Sequence, residues 1–374
     1  MSRWVRPWSV MLVLTLAYVG MTLARYDGDP MAFALVGTRF GSGDPQGTWG
    51  YDGQFAYFIA RDPLGGWSHC DVPAYRYQRI LYPMLAWGLA LGQPALVPWT
   101  LILVNVAALV GGTYITERLL MTRRVNPWYA LAYGGYGGLV AGVRLDLTEP
   151  LAYGLVQAGL WAWEARKRRW LAGPLLTLAA LTRETSLIVA GGLVLTLLLA
   201  RLWRAAVRLG LVVGVPFVVW QGVLWAWLGR PGVGAGGALA TPFEWVPFGG
   251  MWRVVAHMFS PIPAAAMSRL AAVVIINTCL FVLPSLWALV VSARDVARGH
   301  RHPWVVILGV QAVVLPFLPF STWREPLAMA RLGTGLVAAT LLYGARRHSR
   351  RVLRFSFFWL ATLALLVDER TLPI

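Results

Sequence analysis

The stretch GYDGQFAYFIARDP, Gly50 to Pro63, sets a carboxylate, Asp52, among glycines and beside an amide, Gln54, early in a mostly apolar chain. The segment AYRYQRILYP follows, with Arg76 and Arg79 beside tyrosines. A guanidinium fork matches phosphate oxygens, so this cluster suits a phosphate at an interface; it equally suits an aromatic belt with headgroup-binding arginines. Three short turns carry more charge than a hairpin needs. VRLDLTEP supplies Arg144, Asp146 and Glu149, LTRETS supplies Arg183 and Glu184, and STWREPLAMAR supplies Arg324, Glu325 and Arg331. Ionisable groups at membrane depth are costly unless they pair or face a cavity. A single Arg–Glu pair is as often structural as functional, but three such turns on one side favour a polar cavity. A Tyr-Asp-Gly theme occurs twice, in YDGDP from Tyr26 and in YDGQF from Tyr51, placing carboxylates near the membrane surface at two points.

The elements that must position these groups are membrane helices. Of 374 residues 58% are hydrophobic and 13% charged, and apolar runs recur from Trp8 to Val367, more than one soluble core buries. At about 20 apolar residues per crossing, fewer where helix ends are buried in protein, spans are predicted near 8–24, 95–117, 127–143, 149–164, 170–182, 185–200, 207–228, 269–292, 304–320, 327–344 and 352–367. The expected fold is an all-α polytopic membrane protein with about 11 transmembrane helices, within a range of 10–12. Cytoplasmic loops retain positive charge. With the N-terminus inside, the clusters at Arg3 and Arg6, ERLLMTRR, ARKRR, RLWRAAVR, RDVARGHRH and ARRHSRRVLR face the cytoplasm. That side then holds 20 of the 33 basic and 3 of the 16 acidic residues, so the whole net charge of +17 lies inside. The segment 79–92 is short for a span and is followed by Gln93 and Pro94, so it is read as interfacial or re-entrant. Thr22 and Ala24 offer small residues ahead of a signal cleavage, but the first run is read as a signal anchor. The outer side carries two long segments: 25–78, expected to be structured, and 229–268, whose glycine-rich composition suits a cover over a site. His257 in the second is expected to be structural.

Other classes are disfavoured. The basic residues lie in short clusters between apolar runs, not along one face, so no nucleic acid is expected as partner. Cys70 and Cys279 suggest no disulfide framework. No Walker-type loop or Rossmann fingerprint points to a nucleotide.

Asp52 with its flanks, AYRYQRILYP, and the turns RLDLTEP and ALTRETSL together resemble the GT-C superfamily of integral-membrane glycosyltransferases, specifically GPI-mannosyltransferase-like proteins and bacterial relatives linked to cell-surface glycopolymers. The resemblance covers roughly residues 1–200, taken as a catalytic membrane module, and extends over 201–374 only as hydrophobic layout, taken as a C-terminal transmembrane module. It implies transfer of a hexose or pentose from a polyprenyl-phosphate donor to a glycan or lipid-linked acceptor, with inversion, at the outer face of the plasma (inner) membrane. Asp52 matches the group's presumed catalytic base. The polar residue often found shortly after that Asp is Gln54 here, with Phe55 following, which is a departure. Such a transfer needs a base for the acceptor hydroxyl and positive charge for the departing phosphate, but no general acid. A glycosidase would want two bracketing carboxylates. Arg183, Arg324 and Arg331 are the first candidates for the lipid phosphate, with Arg76 and Arg79 next; Asp29, Gln54, Glu149 and Glu184 are candidates for positioning the acceptor or the arginines. No metal or other cofactor is firmly implied. Asp27 and Asp29 offer two hard oxygen ligands for a divalent cation, although two acids in a Gly-Pro turn are more often just a turn. The competing readings are a transporter or flippase of a lipid-linked glycan, disfavoured because no two related halves are visible, and a non-catalytic assembly subunit.

Overall fold

The computed structural model describes residues 5–237, 241–259 and 263–366. It is all-helical, 77% helix, with no strand among the described residues; one isolated antiparallel bridge joins Val36 and Gly50. Helix Pro7–Arg25 opens with proline in its first turn, where the missing N–H has no intrahelical partner to lose. It closes through Gly28 N, which donates to Leu23 O at 2.8 Å. Asp27 and Gly28 adopt left-handed backbone there, so the first Tyr-Asp-Gly copy is a helix stop.

Among the described residues, five helices are long and apolar enough to cross a membrane: Pro7–Arg25, Pro94–Thr122, Trp203–Leu228, Ala266–Ala297 and Pro326–Arg346. In the first and third of these only 28% of the apolar window is buried. Val13, Met21, Val218 and Trp225 point outward from them, an apolar surface that a bilayer covers and water does not. In Pro326–Arg346 the buried share is 89%, which makes it the central helix.

Every predicted apolar stretch contains helix, but several fall short of a bilayer's ~20 residues. Glu149–Glu164 has 16 residues, Leu187–Leu199 has 13, Pro303–Val314 has 12 and Ala172–Thr182 has 11. The stretch 127–143 is broken into Pro127–Ala130, Leu131–Gly134 and Gly137–Arg144. The last stretch is Arg350–Phe355 followed by the 3-10 helix Ser356–Leu366; residue 367 lies outside the described residues. Within 79–92 the helix Leu81–Leu89 has nine residues, too few to span, and it packs on Gly53–Arg61 and Val97–Thr122.

The central helix packs against Gly137–Arg144, Glu149–Glu164 and Pro303–Val314. At Gly138 a Cβ would lie 2.4 Å from Ala330 O, so only glycine admits this crossing, and the Tyr136 hydroxyl donates to the same carbonyl at 2.5 Å. Arg331, the next residue, is thereby set beside the turn between Arg144 and Glu149. One buried apolar cluster runs from Met11 to Trp359, drawing on both 1–200 and 201–374. The segment 26–78 is ordered by short helices, among them Met31–Ala34, Gly53–Arg61 and Pro73–Tyr77.

Candidate functional site

Asp52 stands immediately before the helix Gly53–Arg61. A Cβ on Gly53 would meet Leu145 O at 2.0 Å and the Asp146 Cβ at 3.2 Å. The glycine after Asp52 is therefore what lets this helix start rest directly on the Leu145–Asp146 turn. A small cavity of about 30 Å³ lies there, lined by the polar residues Asp52, Arg76, Arg79, Asp146, Thr148 and Arg331 and by apolar residues including Phe55, Ile59, Pro83 and Leu147.

The polar groups form two bonded sets, one around Asp52 and Arg331 and one around Arg79. Asp52 Oδ1 accepts from Arg76 Nη1 at 2.9 Å, and Oδ2 accepts from Arg331 Nη1 at 2.9 Å. Arg76 is held from behind by Asp71, through Nε at 2.7 Å and Nη2 at 2.8 Å. Its guanidinium lies 4.0 Å from the centre of the Phe55 ring, a cation–π contact. Arg331 donates from Nε to Glu149 Oε1 at 2.5 Å and from Nη1 to the Tyr51 hydroxyl at 3.0 Å, and Tyr51 in turn donates to Glu325 Oε1 at 2.8 Å. Arg79 clasps Glu184 with Nε at 2.9 Å and Nη2 at 2.6 Å, and reaches the Tyr75 hydroxyl at 2.9 Å. Arg183 lies 3.1 Å from Glu149 Oε1 and donates to Thr148 Oγ1 at 3.2 Å.

Burial alone would raise the Asp52 carboxyl, but the guanidiniums of Arg76, then Arg331 and Arg79, outweigh it and hold the group well below the usual carboxylate range. Asp146 is the opposite case. It is fully buried, its backbone is left-handed at φ 48°, and neither carboxylate oxygen has a hydrogen-bond partner. Burial pushes it well above the usual range, against the pull of Arg144. The nearby Tyr82 hydroxyl donates to Leu101 O at 3.1 Å; turning toward Asp146 would mean giving up that bond.

The structure thus brings together Asp52, Arg76, Arg79, Arg331 and, behind them, Glu149, Glu184 and Arg183. Glu149 and Glu184 orient arginines. It places three other candidates elsewhere. Arg324 is exposed and does not line the cavity, because it precedes the helix on which Arg331 turns inward. Gln54 is buried but spends its amide on the loop, accepting from Gly37 N at 3.1 Å and donating to Trp49 O at 2.7 Å. Asp29 is exposed and accepts from Met31 N at 2.8 Å, a turn role. Asp27 is exposed too, and among the described residues no three acids, histidines or cysteines converge as a metal-binding group. The segment 229–268, outside residues 238–240 and 260–262 which are not described, packs on Val72 and Ala74 through Ala235 and on Phe320 through His257, without lining the cavity.

Sequence reasoning passed over Tyr51, Asp71, Tyr75 and Thr148 as site residues. Tyr51 and Tyr75 had a signal, each lying next to or near a residue already singled out. Asp71 had none beyond being an acid in a polar segment.

No protein-family model matches the chain, and neither curated proteins nor solved structures yield a match.

Proposed function

We propose that the protein is a GT-C-like glycosyltransferase of the plasma membrane, with about eleven spans, an N-terminus in the cytoplasm and its site at the extracytoplasmic face. It moves a hexose or pentose from a polyprenyl-phosphate donor to an acceptor hydroxyl during cell-surface glycan assembly. The observation that carries this reading is a small cavity in which one partly exposed carboxylate, Asp52, meets Arg76, Arg79 and Arg331 beside apolar residues. Guanidiniums held from behind by Asp71, Glu149 and Glu184 are preorganised for the phosphate, and the apolar lining residues suit the first isoprene units. Asp52 takes the acceptor proton, and the phosphate leaves as an anion that the arginines stabilise. Asp146, buried without a partner, is left to receive a substrate hydroxyl. The shorter helices cross within the bundle, where protein covers their ends.

The test is sugar transfer from labelled polyprenyl-phosphate donors in membranes carrying wild type or Asp52→Asn at matched protein levels. Wild type transfers, and the variant drops by at least about 100-fold, the usual weight of a general base. Absence of transfer with every donor moves the assignment to a carrier or an assembly subunit, and an active variant removes Asp52 from the chemistry.

A further inference from the structure

The direct ion pairs around the cavity are balanced in number. Four guanidiniums, Arg76, Arg79, Arg183 and Arg331, meet four carboxylates, Asp52, Asp71, Glu149 and Glu184. Asp146, which also lines the cavity, and Glu325, reached through Tyr51, add carboxyl groups and no further guanidinium. An arriving phosphate therefore finds none of these arginines unclaimed unless a resident carboxylate gives way, since a buried charge left unpaired is strongly unfavourable.

The four carboxylates are not equally held. Glu149 is 0% exposed and joins two arginines. Asp71 and Glu184 each grip a guanidinium through two hydrogen bonds. Asp52 has one N–H on each oxygen, from two different arginines, and its side chain is the most exposed of the set at 32%. Both of its arginines keep other anchors without it: Arg76 keeps Asp71, and Arg331 keeps Glu149 and Tyr51. The two N–H groups facing Asp52 therefore form a preshaped anion site whose current occupant is part of the chain.

We propose that Asp52 occupies, in the ligand-free protein, the place of a substrate phosphate: the phosphate displaces the carboxylate from Arg76 and Arg331, and the released Asp52 is the proton acceptor. The second half rests on the glycosyltransferase reading; the displacement does not. In the reaction the acceptor's O–H proton passes to Asp52 and its oxygen bonds the anomeric carbon. The anomeric carbon–oxygen bond to phosphate breaks, and its electron pair stays on the phosphate. The phosphodiester monoanion becomes a phosphomonoester dianion, which two guanidiniums hold better than one negative charge. A clamped Asp52 is a poor base, so donor binding itself switches the base on.

The experiment measures binding of a short-chain polyprenyl phosphate, without sugar, to full-length purified protein. Polyprenol serves as the uncharged control, with inorganic phosphate and phosphatidylglycerol as competitors. Asp52→Asn removes the resident anion, so it binds the lipid phosphate about tenfold tighter than wild type or better, while polyprenol binding is unchanged. Equal or weaker binding by Asp52→Asn overturns the exchange. Competition by inorganic phosphate at millimolar levels assigns the site to phosphate itself, and competition by phosphatidylglycerol alone assigns it to a bulk headgroup; either keeps the exchange. A second measurement needs no variant: the infrared difference between wild type with polyprenyl phosphate and wild type with polyprenol contains a shifted carboxylate stretch, and a difference spectrum without one overturns the proposal. Transfer activity without tighter variant binding sinks the exchange alone. Tighter binding without transfer from any donor sinks the glycosyltransferase reading and leaves the exchange standing.

Discussion

Gly53→Ala adds one methyl group at the point where the helix behind Asp52 rests on the turn that carries Asp146. That carbon would sit 2.0 Å from Leu145 O, whereas ordinary contact begins near 3.5 Å, so the two backbones must part by about 1.5 Å. The obstacle is a carbonyl of a buried turn and not the end of a flexible side chain, which places the strain at the usual overpacking cost of about 1–3 kcal/mol. Alanine recovers about 0.5–1 kcal/mol by restricting the unfolded chain. The net is a modest loss of stability with a larger loss of function, because a shift of about 1 Å between reacting groups costs on the order of 100-fold in rate. Thermal unfolding in detergent and polyprenyl-phosphate-dependent transfer measure the two effects. Gly88→Ala is the control: nothing lies within 4 Å of its added carbon, so it leaves both unchanged or slightly improved. If Gly53→Ala transfers sugar at the wild-type rate with wild-type stability, the packing of Asp52 against the Asp146 turn is not what builds the site.

Glu149→Gln keeps the size of a fully buried side chain but leaves Arg183 without its carboxylate and Arg331 with Asp52 alone. It lowers unfolding stability by about 3–5 kcal/mol, and adding Arg183→Met restores part of that loss; additive effects in this double-mutant cycle would show the pair is not coupled. Asp146→Asn acts in the opposite direction. Because burial raises the folded-state pKa of Asp146, the native state binds that proton more tightly than the unfolded chain, so stability falls as pH rises from about 4 and stays lower above the folded pKa. The variant flattens this profile and unfolds at a higher temperature than wild type at neutral pH, yet transfers sugar at least about tenfold more slowly for want of a substrate contact. A lower unfolding temperature across the same pH series would refute the unpartnered state of the carboxylate.

The helices and the chemistry were legible in the sequence to different depths. Apolar runs and glycine, proline and arginine punctuation located the long apolar stretches, because those signals are local, but not the short polar-segment helices such as Pro73–Tyr77 and Gly249–His257. How many of them cross a bilayer is less legible, since a run of apolar residues does not state its own helix length: 127–143 breaks at Gly135 and Tyr136, while 269–292 lies inside a continuous helix, Ala266–Ala297, that passes through a π turn at Thr278–Val282. Asp52, Arg76, Arg79 and Arg331 were readable as candidates from residue type alone. Their pairing was not, since Asp52 and Arg331 are 279 positions apart and meet only through the close crossing at Gly138.

Arg324 and Arg331 make the reason concrete. They share one turn, one charge and one membrane side in any reading of the sequence, yet one is exposed and the other is in the cavity wall. What separates them is that Arg324 precedes the helix that begins at Pro326 while Arg331 lies on it, where side-chain direction is set by packing around the whole helix. Residue type selects what can do chemistry; the central helix selects which copy does. The same reasoning accounts for the two Tyr-Asp-Gly copies. Behind Tyr26 the motif ends a helix in the open, with Asp27 exposed, while behind Tyr51 it begins one against a buried turn, and only there do two arginines converge on the carboxylate. A motif of three residues thus becomes a site only where its glycine is needed for contact and not merely for a turn, which is why Gly53, and not Gly28, is the glycine whose substitution reports on function.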